Sequence, residues 1–159
     1  MPHLSRARWA LASLALASAL TAGCLPPQPF RASGDQSAAS SEASVLSLVN
    51  NERARAGIPA LTLSDGAAVA AEQWSAQMAS MNRLAHNPDL AGSLAAHGVN
   101  DWSTAGENVG YGSSVEEVHQ RFMASPAHRA NILNRSFRQA GVGVVEANGT
   151  TWITIVLFG

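Results

Sequence analysis

The segment that decides the fold is residues 141–159, which read GVGVVEANGTTWITIVLFG. Two runs rich in β-branched residues flank Asn148-Gly149, a dipeptide that suits a tight β-hairpin turn because both of its residues tolerate positive φ angles. The second run, Trp152 to Phe158, is apolar almost throughout, which is typical of a strand buried on both faces. We therefore predict a hairpin in a sheet that helices cover on both sides.

Helices are predicted upstream of this hairpin where apolar residues recur every three or four positions and where capping residues mark the ends. The predicted helices are 45–56 before Gly57 and Pro59, 65–81 after Ser64 or Asp65, 89–97 before Gly98, 115–123 after Ser114, and a short helix opened by Ser125-Pro126. In the last of these, Ser125 is the expected N-cap and Pro126 the first helical residue. In the fourth, Ser114 and Glu117 are expected to form a capping box, with Glu117 also pairing with Arg121.

Composition limits the class of protein. The chain has 159 residues, of which 47% are hydrophobic and 13% charged, as expected for one folded domain with a sizeable core. Its ten basic residues are all arginines, they form no cluster, and eleven acidic residues oppose them. Nucleic acid is therefore not an expected partner. The single cysteine, Cys24, excludes an intrachain disulfide and a cysteine-based zinc site.

Residues 1–23 carry an export pattern. Two arginines and no acid precede an apolar run, from Trp9 to Ala22, that is too short to span a bilayer as a helix. The run ends in Leu20-Thr21-Ala22-Gly23-Cys24, which resembles a bacterial lipoprotein signal, where cleavage before the cysteine leaves a thiol to be acylated. We predict a signal peptide over residues 1–23 and lipidation of Cys24. The alternative is ordinary cleavage after a small residue, which gives a soluble secreted protein.

The next segment, residues 24–43, is rich in Pro, Ser, Gly, Ala and Gln. Such a segment buries too little apolar surface to offset the entropy that ordering costs. We predict a flexible tether over residues 24–43 that joins a membrane anchor at Cys24 to a domain over residues 44–159. The expected location is the cell envelope.

Few residues in this domain are suited to catalysis. The sequence lacks Gly-x-Ser-x-Gly, His-Glu-x-x-His, a phosphate-binding Gly-rich loop with lysine, and a cysteine inside the domain. What remains is His86 just past a helix end, Glu107 in the strand-like AGENVGY (105–111), and His128 in the first turn of a helix. These three fit a divalent-metal triad, zinc for example, or an acid/base cluster. Taken singly, each also fits a structural role with a hydrogen-bonded or packed side chain.

Five blocks of sequence occur together in a specific order. They read VNNERARAGIPAL (49–61), RLAH (83–86), GENV (106–109), FMASPAHRANIL (122–133), and GVG (141–143) with a closing FG (158–159). With these blocks, residues 45–159 resemble the bacterial branch of the CAP superfamily, whose domains are also called SCP domains. The resemblance implies a secreted α+β domain, a three-layer α-β-α sandwich with a central, mainly antiparallel sheet. It also implies a cleft that holds two histidines and one or two acids.

His86, Glu107 and His128 match the cleft positions of that family residue by residue. Animal and plant members carry a second cleft glutamate at the position of Ser125, so this cleft has one carboxylate fewer. That difference weakens metal binding and any two-carboxylate mechanism. The only tyrosine, Tyr111, either lines the cleft beside Glu107 or packs its ring with the hydroxyl at the surface.

Two function classes stay open. One is an envelope-tethered module that binds a lipid, a wall fragment or a protein partner. The other is a metal-assisted hydrolase that uses His86, Glu107 and His128, with bound water as the nucleophile. The remaining domain histidines are assigned structural positions, His97 at a helix C-terminus and His119 at an exposed position of a helix.

Overall fold

The structure, a computed structural model, describes the backbone of residues 33–159 and the side chains of residues 37–159. Its elements in chain order are α1 Ser33–Arg55, β1 Thr62–Leu63, α2 Asp65–Met81, α3 Leu90–Ala96, β2 Ala105–Gly112, α4 Val115–Ala124, α5 Pro126–Ile132, β3 Gln139–Ala147 and β4 Thr150–Phe158. The predicted signal peptide and Cys24 lie outside the described residues. No helix in the described range is long and apolar enough to cross a bilayer.

The predicted hairpin is confirmed. Strands β3 and β4 pair antiparallel around Asn148 and Gly149, whose φ angles are 53° and 73°. Positive φ at both positions gives a turn whose twist matches that of the flanking strands. Strand β2 pairs antiparallel with the other side of β4, and the two-residue β1 pairs parallel with β3, so the strand order is β1-β3-β4-β2. The central sheet is mainly antiparallel, as expected.

Helices cover both faces of this sheet. On one face α2 lies directly on β3, because a Cβ on Gly141 would come within 2.1 Å of the Ala67 carbonyl carbon and one on Gly143 within 2.1 Å of the Glu72 nitrogen. Side chains alternate across a strand, so Val142, between these two glycines, points to the opposite face of the sheet. That face is filled by Val45, Val49, Val118, Phe122, Ile132, Val142, Val144, Ile153 and Ile155, from α1, α4, α5, β3 and β4. The three-layer α-β-α sandwich is confirmed.

The start of the first helix differs from the prediction. Helix α1 begins at Ser33, so the expected boundary between tether and domain at residues 43–44 falls inside it. Serine hydroxyls find partners within this helix, since Ser40 Oγ donates to Ser37 O at 2.7 Å and Ser44 Oγ to Ser40 O at 2.9 Å. Composition alone missed this because the helix also packs beside β3, a contact that is not local in sequence.

The helix caps are largely as predicted, with two differences. Ser64 caps α2 and Ser114 caps α4. The Glu117 side chain pairs with Arg121 as expected, but it accepts from the N–H and hydroxyl of Ser113 and not from the N-cap N–H. Ser125 occupies the N-cap position of α5 without a side-chain capping bond. Its hydroxyl is therefore available for another contact.

The expectation that His119 is exposed is wrong. His119 lies on α4 with 7% of its surface exposed, and its Nε2 is 3.8 Å from Glu52 Oε1 on α1. Burial lowers the pKa of His119, although Glu52 acts in the opposite direction. The helical period of α4 did not reveal this, because the covering surface comes from α1.

Arg53, near the end of α1, is fully buried. Its Nε donates to Pro59 O at 2.8 Å, its Nη1 to Ile132 O and Asn134 O at 2.9 Å each, and its Nη2 to Phe137 O at 3.0 Å. One guanidinium thus ties α1 to the end of α5 and to the segment that leads into β3. Burial lowers the pKa of Arg53, and backbone carbonyls replace the water that its donors lose.

Candidate functional site

His86 is positioned by the end of α2. The helix stops at Asn82, which adopts a left-handed φ of 45°, and Trp74 Nε1 on α2 donates to Ala85 O at 2.9 Å. These contacts fix the segment after α2 beside β2. There His86 Nδ1 lies 2.7 Å from Glu107 Oε1, so two residues predicted to share a cleft are in direct contact.

Glu107 lies on β2, and its side chain is 5% exposed. Its Oε1 also accepts from the Asn87 N–H at 3.0 Å. Its Oε2 is buried and receives no hydrogen bond from any residue of the described range. A buried carboxylate oxygen without a donor is costly, which makes Glu107 a candidate for a functional role.

His128 approaches the same cleft from α5. Its ring meets Phe122 edge-on, with ring centroids 5.0 Å apart and an interplanar angle of 68°. Burial lowers the pKa of His128, and repulsion from His86 adds to the effect. The His128 imidazole is therefore mostly neutral near pH 7.

The predicted metal ligands do not form a complete set. Across the described part of the chain, no three His, Cys, Asp or Glu side chains converge to hold one ion. In addition, His86 Nδ1 faces Glu107 Oε1 and so is engaged by another candidate ligand. These positions do not fit the expected zinc triad, and no step below passes through a metal.

A cavity of about 230 Å³ lies beside β2. It is lined by Leu84, Val109, Gly110, Tyr111, Val118, Arg121, Phe122, Ser125 and His128. The cavity thus includes the two further predicted cleft residues, Tyr111 and Ser125, together with His128. Tyr111 also packs against Trp152, with ring centroids 5.0 Å apart, so it lines the cavity and stacks at the same time.

Two asparagines that sequence reasoning gave no role hold the site together. Asn108, which is fully buried, donates through Nδ2 to His128 O at 3.0 Å. Asn131 Nδ2 donates to Asn108 Oδ1 at 2.9 Å and to Glu107 O at 3.3 Å. The pair ties α5 to β2 and so fixes His128 relative to Glu107. Both asparagines lie inside the blocks that carry the family resemblance, which was the available signal.

Comparison with known proteins identifies the family of this chain. The family model of the cysteine-rich secretory protein family, CAP, matches residues 46–158. The chain belongs to the CAP family. The match runs from the middle of α1 to the end of β4.

Individual relatives support the assignment. The uncharacterized protein YkwD of Bacillus subtilis (strain 168) is 34% identical over 125 residues, which cover 76% of this chain and 48% of YkwD. An extracellular SCP-domain protein from Bacillus anthracis str. Ames is 27% identical, with a TM-score of 0.71 over 78% of this chain and 42% of that one. This chain thus spans about half the length of YkwD and somewhat less of the B. anthracis protein.

A more distant structure shares the fold alone. An outer surface protein from Borrelia burgdorferi is 15% identical, with a TM-score of 0.66 over 76% of this chain and 92% of that one. At this identity the likeness concerns the arrangement of helices and strands and carries no assignment of site residues.

Proposed function

We propose that this CAP domain is an exported, envelope-tethered binding module whose ligand occupies the cleft at His86, Glu107 and His128. The observation that carries the proposal is the buried Glu107 Oε2, which has no hydrogen-bond donor among the described residues. Because the atom is buried, a ligand with an N–H or O–H group would have to displace a covering side chain to reach it, and the new bond would then recover part of the free energy that its desolvation costs.

The surrounding groups favour a ligand with both polar and apolar parts. His86 is 63% exposed at its side chain and stands at the mouth of the cleft, where it can contact solvent and ligand together. His128 offers a neutral imidazole, and the neighbouring cavity adds the apolar walls of Val118 and Phe122. A lipid, a wall fragment and a protein segment all carry such a mixture of groups.

Binding explains these features better than hydrolysis does. A metal-assisted hydrolase, the alternative that the sequence leaves open, needs three ligands around one ion and a position for a reactive water. His86 and Glu107 instead engage each other at 2.7 Å. The unsatisfied Glu107 oxygen calls for a donor, which a bound ligand supplies without any reaction.

Ligand binding is tested with the full chain carrying Cys24→Ser, labelled with ¹⁵N for NMR. The probes are muramyl dipeptide, phosphatidylglycerol vesicles and a pool of blocked tripeptides. At least one probe is expected to shift the amide signals of Asn87 and Glu107 saturably, with or without EDTA. Glu107→Gln should raise the dissociation constant at least about tenfold, while the control Glu72→Gln, an exposed acid on α2, should leave it unchanged. Absence of saturable shifts with every probe, or equal binding by Glu107→Gln, would contradict the proposal.

Export rests on residues 1–24 and on the relatives, whereas anchoring rests on the sequence from Leu20 to Cys24 alone. One relative is described as extracellular and another as an outer surface protein. In a native bacterial host, the mature protein is expected to begin at Cys24, to carry lipid there and to sediment with membranes. Cys24→Ser should release it into the soluble fraction. A mature N-terminus at another residue, or an unmodified Cys24, would refute the anchor.

A further inference from the structure

The free edge of β2 follows from the hydrogen-bond pattern of the sheet. β2 is an edge strand, paired on one side with β4. Just before it, Thr104 and Gly159 exchange both of their backbone hydrogen bonds, at 3.1 and 3.2 Å. In an antiparallel pair, hydrogen-bonded positions alternate with positions whose backbone groups point away from the partner. The unbroken register from Ala105 to Gly112 therefore turns the N–H and C=O groups of residues 105, 107, 109 and 111 to the open edge.

Side chains from the helices cover this edge on either side of Val109. Asn131 Nδ2 donates to Glu107 O at 3.3 Å, and Arg121 Nη1 donates to Tyr111 O at 3.2 Å. Among the described residues, no side chain bonds to the N–H or C=O of Val109, which lies between these two positions. Val109 also lines the cavity beside β2. The edge is thus open at one residue, where a donor and an acceptor stand next to each other.

The walls of the cavity define what fits this opening. Leu84, Val118 and Phe122 are apolar, whereas Arg121 and His128 supply hydrogen-bond donors or positive charge. No acidic side chain lines the cavity. Because Arg121 is already paired with Glu117 through Nη2, the cavity suits an apolar group with a hydrogen-bond acceptor, such as a carboxylate, near Arg121 and His128.

We propose that the ligand of this cleft is an extended peptide, one residue of which pairs with Val109 as an added strand. This inference rests on the proposed binding function and names a ligand class for the cavity beside β2, which Glu107 itself does not line. The paired residue exchanges two backbone hydrogen bonds with Val109, as in the antiparallel ladder itself. Its two neighbours point to the face of the sheet that carries α4 and α5. One neighbour places an apolar side chain in the cavity, and the other brings a carboxylate towards Arg121.

The burial of Val109 sets the length of the pairing. Val109 is 4% exposed, and both flanking outward carbonyls are covered, so the opening accepts one residue in strand register and not a long strand. Recognition then depends on one amide donor, one carbonyl and two side chains. Short peptides are the matching probes.

The probe is the blocked tripeptide Ac-Leu-Ala-Asp-NH₂, titrated by NMR into the full chain carrying Cys24→Ser. Saturable shifts are expected at the amides of Val109 and Gly110. Methylation of the alanine nitrogen removes the donor to Val109 O and should weaken binding about tenfold. Replacing the probe's aspartate by lysine should weaken it about threefold.

A pair of protein variants locates the contact. Leu84→Ala, at the cavity, should weaken binding about fivefold because apolar contact is lost. Leu63→Ala, an equally exposed leucine on the strand at the other end of the sheet order, should leave binding unchanged. Equal affinities for the parent and the N-methyl probe would overturn the pairing with Val109.

The results distinguish a wrong peptide assignment from a wrong binding function. If muramyl dipeptide or the lipid vesicles bind in a Glu107-dependent manner and the tripeptide does not, the peptide assignment is wrong and the binding module stands. If none of these probes binds, both are wrong.

Discussion

Two buried charged residues of this domain differ in how their hydrogen bonds are satisfied. Arg53 is fully buried and makes four hydrogen bonds to backbone carbonyls of its own chain. Glu107 is nearly as buried, yet one of its oxygens has two donors and the other has none in the described part of the chain. The hydrogen bonds of Arg53 are all internal, which fits a structural role, whereas the open oxygen of Glu107 is the basis of the proposed binding role.

The sequence blocks of the family do not tell Arg53 and Glu107 apart. Arg53 and Glu107 both lie in blocks that carry the CAP resemblance, so membership of a block does not distinguish the two roles. What distinguishes the two residues is whether their buried polar atoms all have hydrogen-bond partners within the described chain. Substitutions at polar residues test this distinction, and their expected effects on the free energy of unfolding decrease from Arg53 to Glu107.

Arg53→Met should cause the largest loss of stability. It leaves four carbonyls at the junction of α1, α5 and β3 without their donor, and each buried group costs about 1–3 kcal/mol. The expected sum is comparable with the whole stability of a small domain. Urea unfolding followed by circular dichroism measures it, and Arg53→Lys should retain part of the stability. A loss below about 1 kcal/mol in Arg53→Met would show that the hydrogen bonds of Arg53 contribute little to the stability of the fold.

Asn131→Ala should have an intermediate effect. It leaves Asn108 Oδ1 without the amide donor that ties α5 to β2, which costs about 1–2 kcal/mol in the free energy of unfolding. Because His128 is carried on α5, its ring NMR signals should broaden as well. The control Asn51→Ala, at an exposed position of α1, should change neither quantity. Sharp, unshifted His128 signals in Asn131→Ala would show that other contacts hold α5.

His119 should make stability depend on pH. Burial lowers its folded-state pKa below the ordinary value of 6.5, despite the nearby Glu52 and with a small contribution from Arg55. The unfolded chain then binds more protons as the pH falls below 6.5, so the folded state loses stability there. His119→Leu should reduce this loss, measured by urea unfolding between pH 7.5 and 5. An identical pH dependence in the variant would mean that His119 does not contribute.

Glu42 contributes with the opposite sign. Burial beside β3 and repulsion from Glu72 raise its pKa from 4.5 to about 7. Its protonation therefore stabilises the folded state below pH 4.5, and this contribution is lost as the pH rises from 4.5 to 7. Glu42→Gln should gain stability relative to the parent chain across that interval. A constant difference between the two proteins from pH 4.5 to 7 would contradict the assignment.

Glu107→Gln should have the smallest effect on stability. Glutamine keeps an acceptor for the Asn87 N–H, so the free energy of unfolding should stay within about 1 kcal/mol of wild type. Thermal and urea unfolding both report this difference. A loss as large as that expected for Arg53→Met would show that Glu107 is mainly structural, and the contrast with Arg53 would no longer hold.

The sequence was informative where structure is local. The Asn148-Gly149 turn, the Ser64 and Ser114 caps and the buried β4 depend on residues close in sequence, and all are confirmed. The early start of α1, the two-residue β1 and the burial of His119 depend on packing between distant elements. For the site, residue types and the family match indicated Glu107 and both histidines. The 2.7 Å contact and the unsatisfied Oε2 required the fold.

The most direct test of the central claim compares ligand dissociation constants of wild type and Glu107→Gln, for any probe that binds the full chain carrying Cys24→Ser. If Glu107 Oε2 accepts a hydrogen bond from the ligand, the variant should bind at least about tenfold more weakly while its unfolding free energy stays near that of wild type. Equal dissociation constants in two equally stable proteins would show that the ligand does not use this oxygen, and the functional interpretation of the buried carboxylate would be wrong.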